Sequence, residues 1–111
     1  MEAATHNYFK TWNLRDGAAL VPLFAPEGTL RDWDISVSGA EAVGEANGNI
    51  FKAVPTIAIE VLSVHACEAT RTAVAEILVH LNDAAKTVLK VADVIEFDAQ
   101  LRIKALRAYK G

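Results

Sequence analysis

From Thr56 onward the chain is written in four runs of alternating, largely β-branched residues, "TIAIEVLSVHA", "RTAVAEILVHL", "TVLKVADVIEFD" and "RIKALRAY". Alternation with a period of two is the signature of strands. The first three runs are joined by the short polar connections "CEAT" and "NDAAK", which suit hairpins and are too short for the crossovers that parallel neighbours need. The second half is therefore expected to be an antiparallel meander. Several of its strands are apolar on both faces, and a sheet buried on both sides has to be covered twice.

The first half supplies one cover. Between Glu2 and Leu14 the apolar positions Ala4, Tyr8, Phe9 and Trp12 approximate helical spacing, which puts Tyr8 and Trp12 one turn apart on one face. "RDG" closes that helix, and Asp16 can cap a second, short helix over Gly17–Phe24 that Pro22 kinks or shortens. A strand is expected over roughly Gly28–Val37. A third helix follows over "GAEAVGEANGNIFKAV", with Ala42, Val43, Ala46, Ile50 and Phe51 as its apolar stripe and Pro55 as its stop. Gly44 and Gly48 lie one turn apart in it and read as sites of close helix packing, since neither belongs to a phosphate-binding pattern. For the second cover the simplest candidate in so small a chain is another copy of itself, so a homodimer through the outer face of the sheet is expected.

Composition narrows the function classes. With 111 residues, 52% of them hydrophobic, the sequence is expected to form a single α+β domain over 1–111 with a packed core. No apolar run approaches the roughly 18 residues of a membrane helix, and "MEAATHNYFK" lacks the basic-then-apolar pattern of a signal sequence, so no membrane partner and a cytoplasmic location are expected. A net charge of −3 without a basic block gives nucleic acid no foothold. The single Cys67 excludes an internal disulfide or a thiolate metal site, and reads as a small buried or semi-buried residue. His65 and His80, with Glu60 and Glu76 nearby, lack ligand spacing and read as strand-surface or dimer-interface residues. No metal and no cofactor are expected. The sequence has no strained nucleophile-turn motif for Ser or Cys catalysis.

Two carboxylates stand out. In the third run the odd positions Leu89, Val91, Asp93, Ile95 and Phe97 form the more apolar face, on which Asp93 is the one charge. A carboxyl group buried there either takes up a proton or is satisfied by local backbone or Arg contacts. In "GTLRDWDISVSG" alternation places Asp32 and Asp34 on the side of Leu30, so either Leu30 is exposed or Asp32 points inward, with Trp33 competing for the inside.

"YFKTWNLRDGAALVPLFAPEGTLRDW", followed later by "VADVIEFDAQLRIKALRAY", resembles the ketosteroid isomerase branch of the NTF2-like (SnoaL-like) superfamily over nearly the whole chain. The resemblance implies a curved antiparallel sheet wrapped around three helices to enclose a conical apolar pocket. It assigns Asp32 as the catalytic base, Tyr8 as donor to the substrate carbonyl and Asp93 as a second, protonated donor. Trp12, Phe24, Trp33, Asn47, Phe51 and Phe97 are then expected to line the pocket for a small apolar ligand. The implied reaction shifts a double bond in a cyclic enone by intramolecular proton transfer. Polyketide-type cyclases and non-catalytic dimeric ligand-binding proteins share the superfamily and are the alternatives. The sequence departs from the isomerases where supporting tyrosines appear as Phe24 and Asn47, and where Leu101 replaces a frequent turn Gly. An epoxide hydrolase of this superfamily would set an Arg among carboxylates, whereas Arg31 alternates away from Asp32.

Overall fold

The computed structural model describes residues 1–111, with three helices laid against one face of a six-stranded sheet. Helix α1, Glu2–Trp12, buries Thr5, Tyr8, Phe9 and Trp12, the i, i+3, i+4, i+7 stripe of an amphipathic helix. It stops at Asn13, whose side chain clasps the strand β3 (Ala58–Cys67) in both directions. Asn13 Nδ2 donates to the Ile59 carbonyl at 2.9 Å, and the Ile59 N–H donates to Asn13 Oδ1 at 2.8 Å. One side-chain amide thus completes a ladder step that would otherwise be left open.

Helix α2, Gly17–Leu20, is capped by Asp16, whose carboxylate accepts from the Ala18 N–H. The helix expected to reach Phe24 ends at Leu20 and tightens into a single 3₁₀ turn, Val21–Leu23, because Pro22 has no N–H to continue an α-helix. Strand β1 then runs over Phe24–Arg31, earlier than expected. Its pairing with β6 (Ile103–Lys110) is irregular between Phe24 and Thr29, and Pro26 falls inside that irregularity.

The strand expected to continue to Val37 is instead a hairpin. The chain reverses over 32–35 and returns as β2, Ser36–Ser38, with Leu30 opposite Val37. Asp32 Oδ1 accepts from the N–H groups of Asp34 at 2.7 Å and Ile35 at 2.6 Å, so a side chain imitates a backbone turn. Leu30 is buried, and the strand ends before Asp32 has to choose a face.

Helix α3, Ala40–Ala53, packs over β1 and α2, and the meander follows as β3, β4 (Thr72–His80), β5 (Val88–Phe97) and β6. The sheet order is β2-β1-β6-β5-β4-β3. All neighbours are antiparallel except β1 and β6, which pair in parallel across almost the whole intervening chain. The β5–β6 turn places Leu101 at φ 61°, held by Asp98, whose Oδ1 accepts from the Gln100 and Arg102 N–H groups. Cys67 is exposed, contrary to expectation, because its register with Thr72 and Glu96 puts it on the outer face of the sheet. No helix is long and apolar enough to cross a membrane.

Helices α2 and α3 meet backbone to backbone. A Cβ on Gly17 would lie 2.2 Å from the Gly44 carbonyl oxygen, and one on Gly44 would lie 2.6 Å from Val21 Cγ2, while one on Gly48 would meet nothing within 4 Å. Of the two helix glycines expected to permit close packing, only Gly44 is held by a steric limit on its own side chain. Gly44→Ala should therefore destabilise the protein by about 1–3 kcal/mol through overpacking. Gly48→Ala should stabilise it by about 0.5–1 kcal/mol through backbone entropy. Urea midpoints of the two variants, moving in opposite directions, check this.

Candidate active site

A cavity of about 380 Å³ lies between the inner sheet face and the helices, entered beside the 32–35 turn. Its wall is aliphatic along β3, β4 and β5, at Ile59, Ile77, Val79 and Val91 among others, and carries no Lys, Arg or His. Its room has a local origin. Asp93 stands in register with Ala75 on β4 and Ala108 on β6, so the two side chains beside it are methyl groups. They leave space above the carboxyl and offer it nothing to bond.

Asp93 is 5% exposed and Tyr8 3%. Neither the Asp93 carboxyl nor the Tyr8 hydroxyl has a hydrogen-bonding partner in the protein, yet no sealed polar side-chain atom is unpaired, so both open into the cavity. Burial, reinforced by the Asp32 carboxylate, pushes the Asp93 pKa up from 3.8 to about 7. Burial and then the charge of Asp93 hold the Tyr8 phenol well above its ordinary range. In their protonated forms both groups are hydrogen-bond donors.

Tyr8 is placed by α1 and braced by edge-to-face contacts with Phe9 and Phe24, at ring separations of 5.1 and 6.0 Å. Its hydroxyl has no relay behind it. Asn47 is committed elsewhere, accepting from Trp12 Nε1 at 2.9 Å and donating to the Val43 carbonyl at 3.0 Å. Asp32 reaches the cavity from its turn, with Oδ1 fixed by two backbone N–H groups and Oδ2 free of protein partners.

Tyr8, Trp12, Asp32, Trp33, Asn47 and Asp93 all line this cavity. Phe24, Phe51 and Phe97 do not. Phe24 lies behind Tyr8, and Phe51 lies behind Trp12 at a ring separation of 4.8 Å. Phe97 shares the inward face of β5 with Asp93, but four residues along the strand, about 13 Å at 3.3 Å per residue, it is sealed in the core opposite Ile103. Arg31 is absent from the lining, which leaves the carboxylates without a guanidinium. Asp34 joins the lining unforeseen, because the hairpin brings it to the mouth.

A family model described as a SnoaL-like domain matches residues 5–106. No curated protein sequence matches significantly. Among solved structures, the chain is similar to a protein of unknown function with a cystatin-like fold from Methylobium petroleophilum PM1, with a TM-score of 0.86 and 20% identity over 99% of this chain and 74% of that one. It is also similar to SalBIII, an epoxide hydrolase/cyclase-like enzyme with a role in pyran ring formation in the polyether salinomycin, with a TM-score of 0.82 and 19% identity over 99% and 89% of the two chains. A putative polyketide cyclase from Sinorhizobium meliloti gives a TM-score of 0.82 and 19% identity over 96% and 93%. At these identities the likeness is one of fold.

The burial of Asp93 carries a measurable linkage. Its folded pKa of about 7 lies above the ordinary 3.8, so the native state holds a proton that the unfolded chain has released. Stability from this group is fully present below about pH 4 and is lost as pH rises through about 7. Relative to Asp93→Asn, the wild-type chain should lose up to a few kcal/mol of stability over that interval. Urea denaturation of both proteins at each pH tests this; parallel curves would show that Asp93 titrates normally.

Proposed function

The chain belongs to the SnoaL-like domain family, and from that premise we propose that it is an isomerase that moves a double bond in an apolar cyclic enone by proton transfer. One observation carries the proposal. Two buried donors without protein partners, Tyr8 and Asp93, open into the same apolar cavity as a carboxylate held rigid by its own turn. A carrier of apolar ligands would be served as well by an aliphatic residue at position 93, without the cost of burying a carboxyl group.

In this reading Asp32 removes a proton from the carbon alpha to the substrate carbonyl. The electron pair moves onto the carbonyl oxygen, where Tyr8 and neutral Asp93 donate hydrogen bonds to the developing enolate. Asp32 then returns the proton at the far carbon of the conjugated system, and the double bond has migrated with no co-reactant consumed. An ionised Asp93 could not donate, so turnover falls as pH rises through about 7. Enolate formation is equally the first step of a ring closure on a polyketide-like substrate, and the likeness to a putative polyketide cyclase favours that as the second reading.

The outer sheet face bears on assembly. Two ion pairs on it close within the protomer, His80 with Glu60 and Arg107 with Glu96, while Glu76 and Lys90 stand apart from them. Val74, Leu78 and Val94 remain as an apolar strip on that face, which a two-fold contact with a second copy would cover. Light scattering at micromolar concentration should return twice the monomer mass of 12.0 kDa; the monomer mass would overturn the dimer.

For the chemistry, ultraviolet absorbance should rise as a Δ5-3-ketosteroid becomes the conjugated enone. Asp32→Asn should slow this by roughly 10²–10⁴-fold. The amide oxygen of that variant can still accept the two turn N–H groups, so fold and ligand binding should persist. Full activity in the variant would overturn the assignment of the base, and no rise with the steroid or with smaller enones would overturn the isomerase.

A further inference from the structure

A second depression, of about 300 Å³, adjoins the cavity mouth between the 32–33 turn and the 107–110 end of β6. It shares Asp32, Trp33 and Ala108 with the apolar cavity, so the two are continuous. Topology creates it. Strand β1 leaves the sheet at Arg31, in register with Arg107, while β6 continues to Lys110.

The charges there are unlike those inside. Arg107 is taken up by Glu96, but Arg31 and Lys110 have no carboxylate partner. Lys110 Nζ sits 5.1 Å from the centroid of the Trp33 ring, and the groove is flanked by two exposed aromatics, Trp33 at 47% and Tyr109 at 57%. The cavity wall, by contrast, holds Asp32, Asp34 and Asp93 and no cation. An anionic group drawn inside would be desolvated beside carboxyl groups with nothing to compensate it. At the rim the same group would meet two unpaired cations against the single carboxylate of Asp32, in a wet setting where charge-assisted hydrogen bonds form without that penalty.

We propose that this rim groove is the subsite for the anionic group, a carboxylate or a phosphate ester, of an amphiphilic substrate whose apolar ring enters the cavity. The proposal rests on the cavity being the substrate site. It sets the orientation of the substrate as well as its class: the anionic end stays on Arg31 and Lys110, and the uncharged carbonyl end goes in first, toward Tyr8 and Asp93.

The test is a matched set of 4-ene-3-ketosteroids, deoxycorticosterone with a free 21-hydroxyl, its 21-hemisuccinate and its 21-phosphate, titrated into the whole protein by calorimetry at low and high salt. Both anionic ligands should bind roughly tenfold more tightly than the alcohol at low salt. That ratio should shrink toward one at 1 M NaCl and in the double variant Arg31→Gln, Lys110→Gln. The tighter of the two anionic ligands identifies the group the groove takes. If the alcohol binds as well as the anionic ligands, or if their advantage survives in the double variant, the proposal is overturned while the cavity reading stands. If none of the three binds, the proposal falls together with a steroid-sized occupant of the cavity.

Discussion

Asp93 sets the terms for everything packed around it. A carboxyl group on the inner face of a sheet has to be neutralised, paired or left beside space, and here alanines on both neighbouring strands, Ala75 and Ala108, choose space. A core that closed over this position would strand the carboxyl without partners, at a desolvation penalty of roughly 1–3 kcal/mol or more. The helices are therefore held off the sheet at this level and closed onto it lower down, where Ile95, Phe97 and Ile103 are sealed. The cone is the shape that satisfies both demands.

The other polar groups of the site are disciplined by short-range bonds. Asp32 is both a turn-former and a cavity residue, and its two backbone acceptances remove most of the freedom a surface carboxylate would have. Asn47 and Trp12 satisfy one another, which keeps an amide and an indole N–H in an apolar wall without leaving either orphaned. Among the buried polar groups, only Tyr8 and Asp93 remain unpaired. The site thus separates groups that maintain the cavity from groups available to a ligand.

Most of this was legible in the sequence where the period was strong. The four runs after Thr56 became β3–β6 in the expected order and sense, and Tyr8, Trp12 and Asp93 fell on the faces their spacing implied. The first strand was less legible because Pro26 and Gly28 interrupt "FAPEG" with turn residues, and only pairing with β6, some eighty residues away, makes it extended. Periodicity assigns a face but not a depth along the cone, which is why Phe97 shares a face with Asp93 and not a cavity. The rim groove was illegible for a related reason. Nothing in the sequence relates Arg31 to Lys110, and only the parallel β1–β6 pairing brings their neighbourhoods together.

That parallel pairing also orders events in time. Strand β1 has no sheet partner except the short β2 until residues 103–107 are available. On a growing chain, the helices and the β3–β5 hairpins can associate through local contacts, while the contact that seats the Asp32 turn spans nearly the full length and comes late. Until the last strand arrives, the apolar wall stands open along one side. The meander then presents an exposed strand edge on β5, the kind of surface on which nascent chains associate wrongly. Chaperone occupancy during synthesis would therefore be concentrated in the interval before β6 emerges.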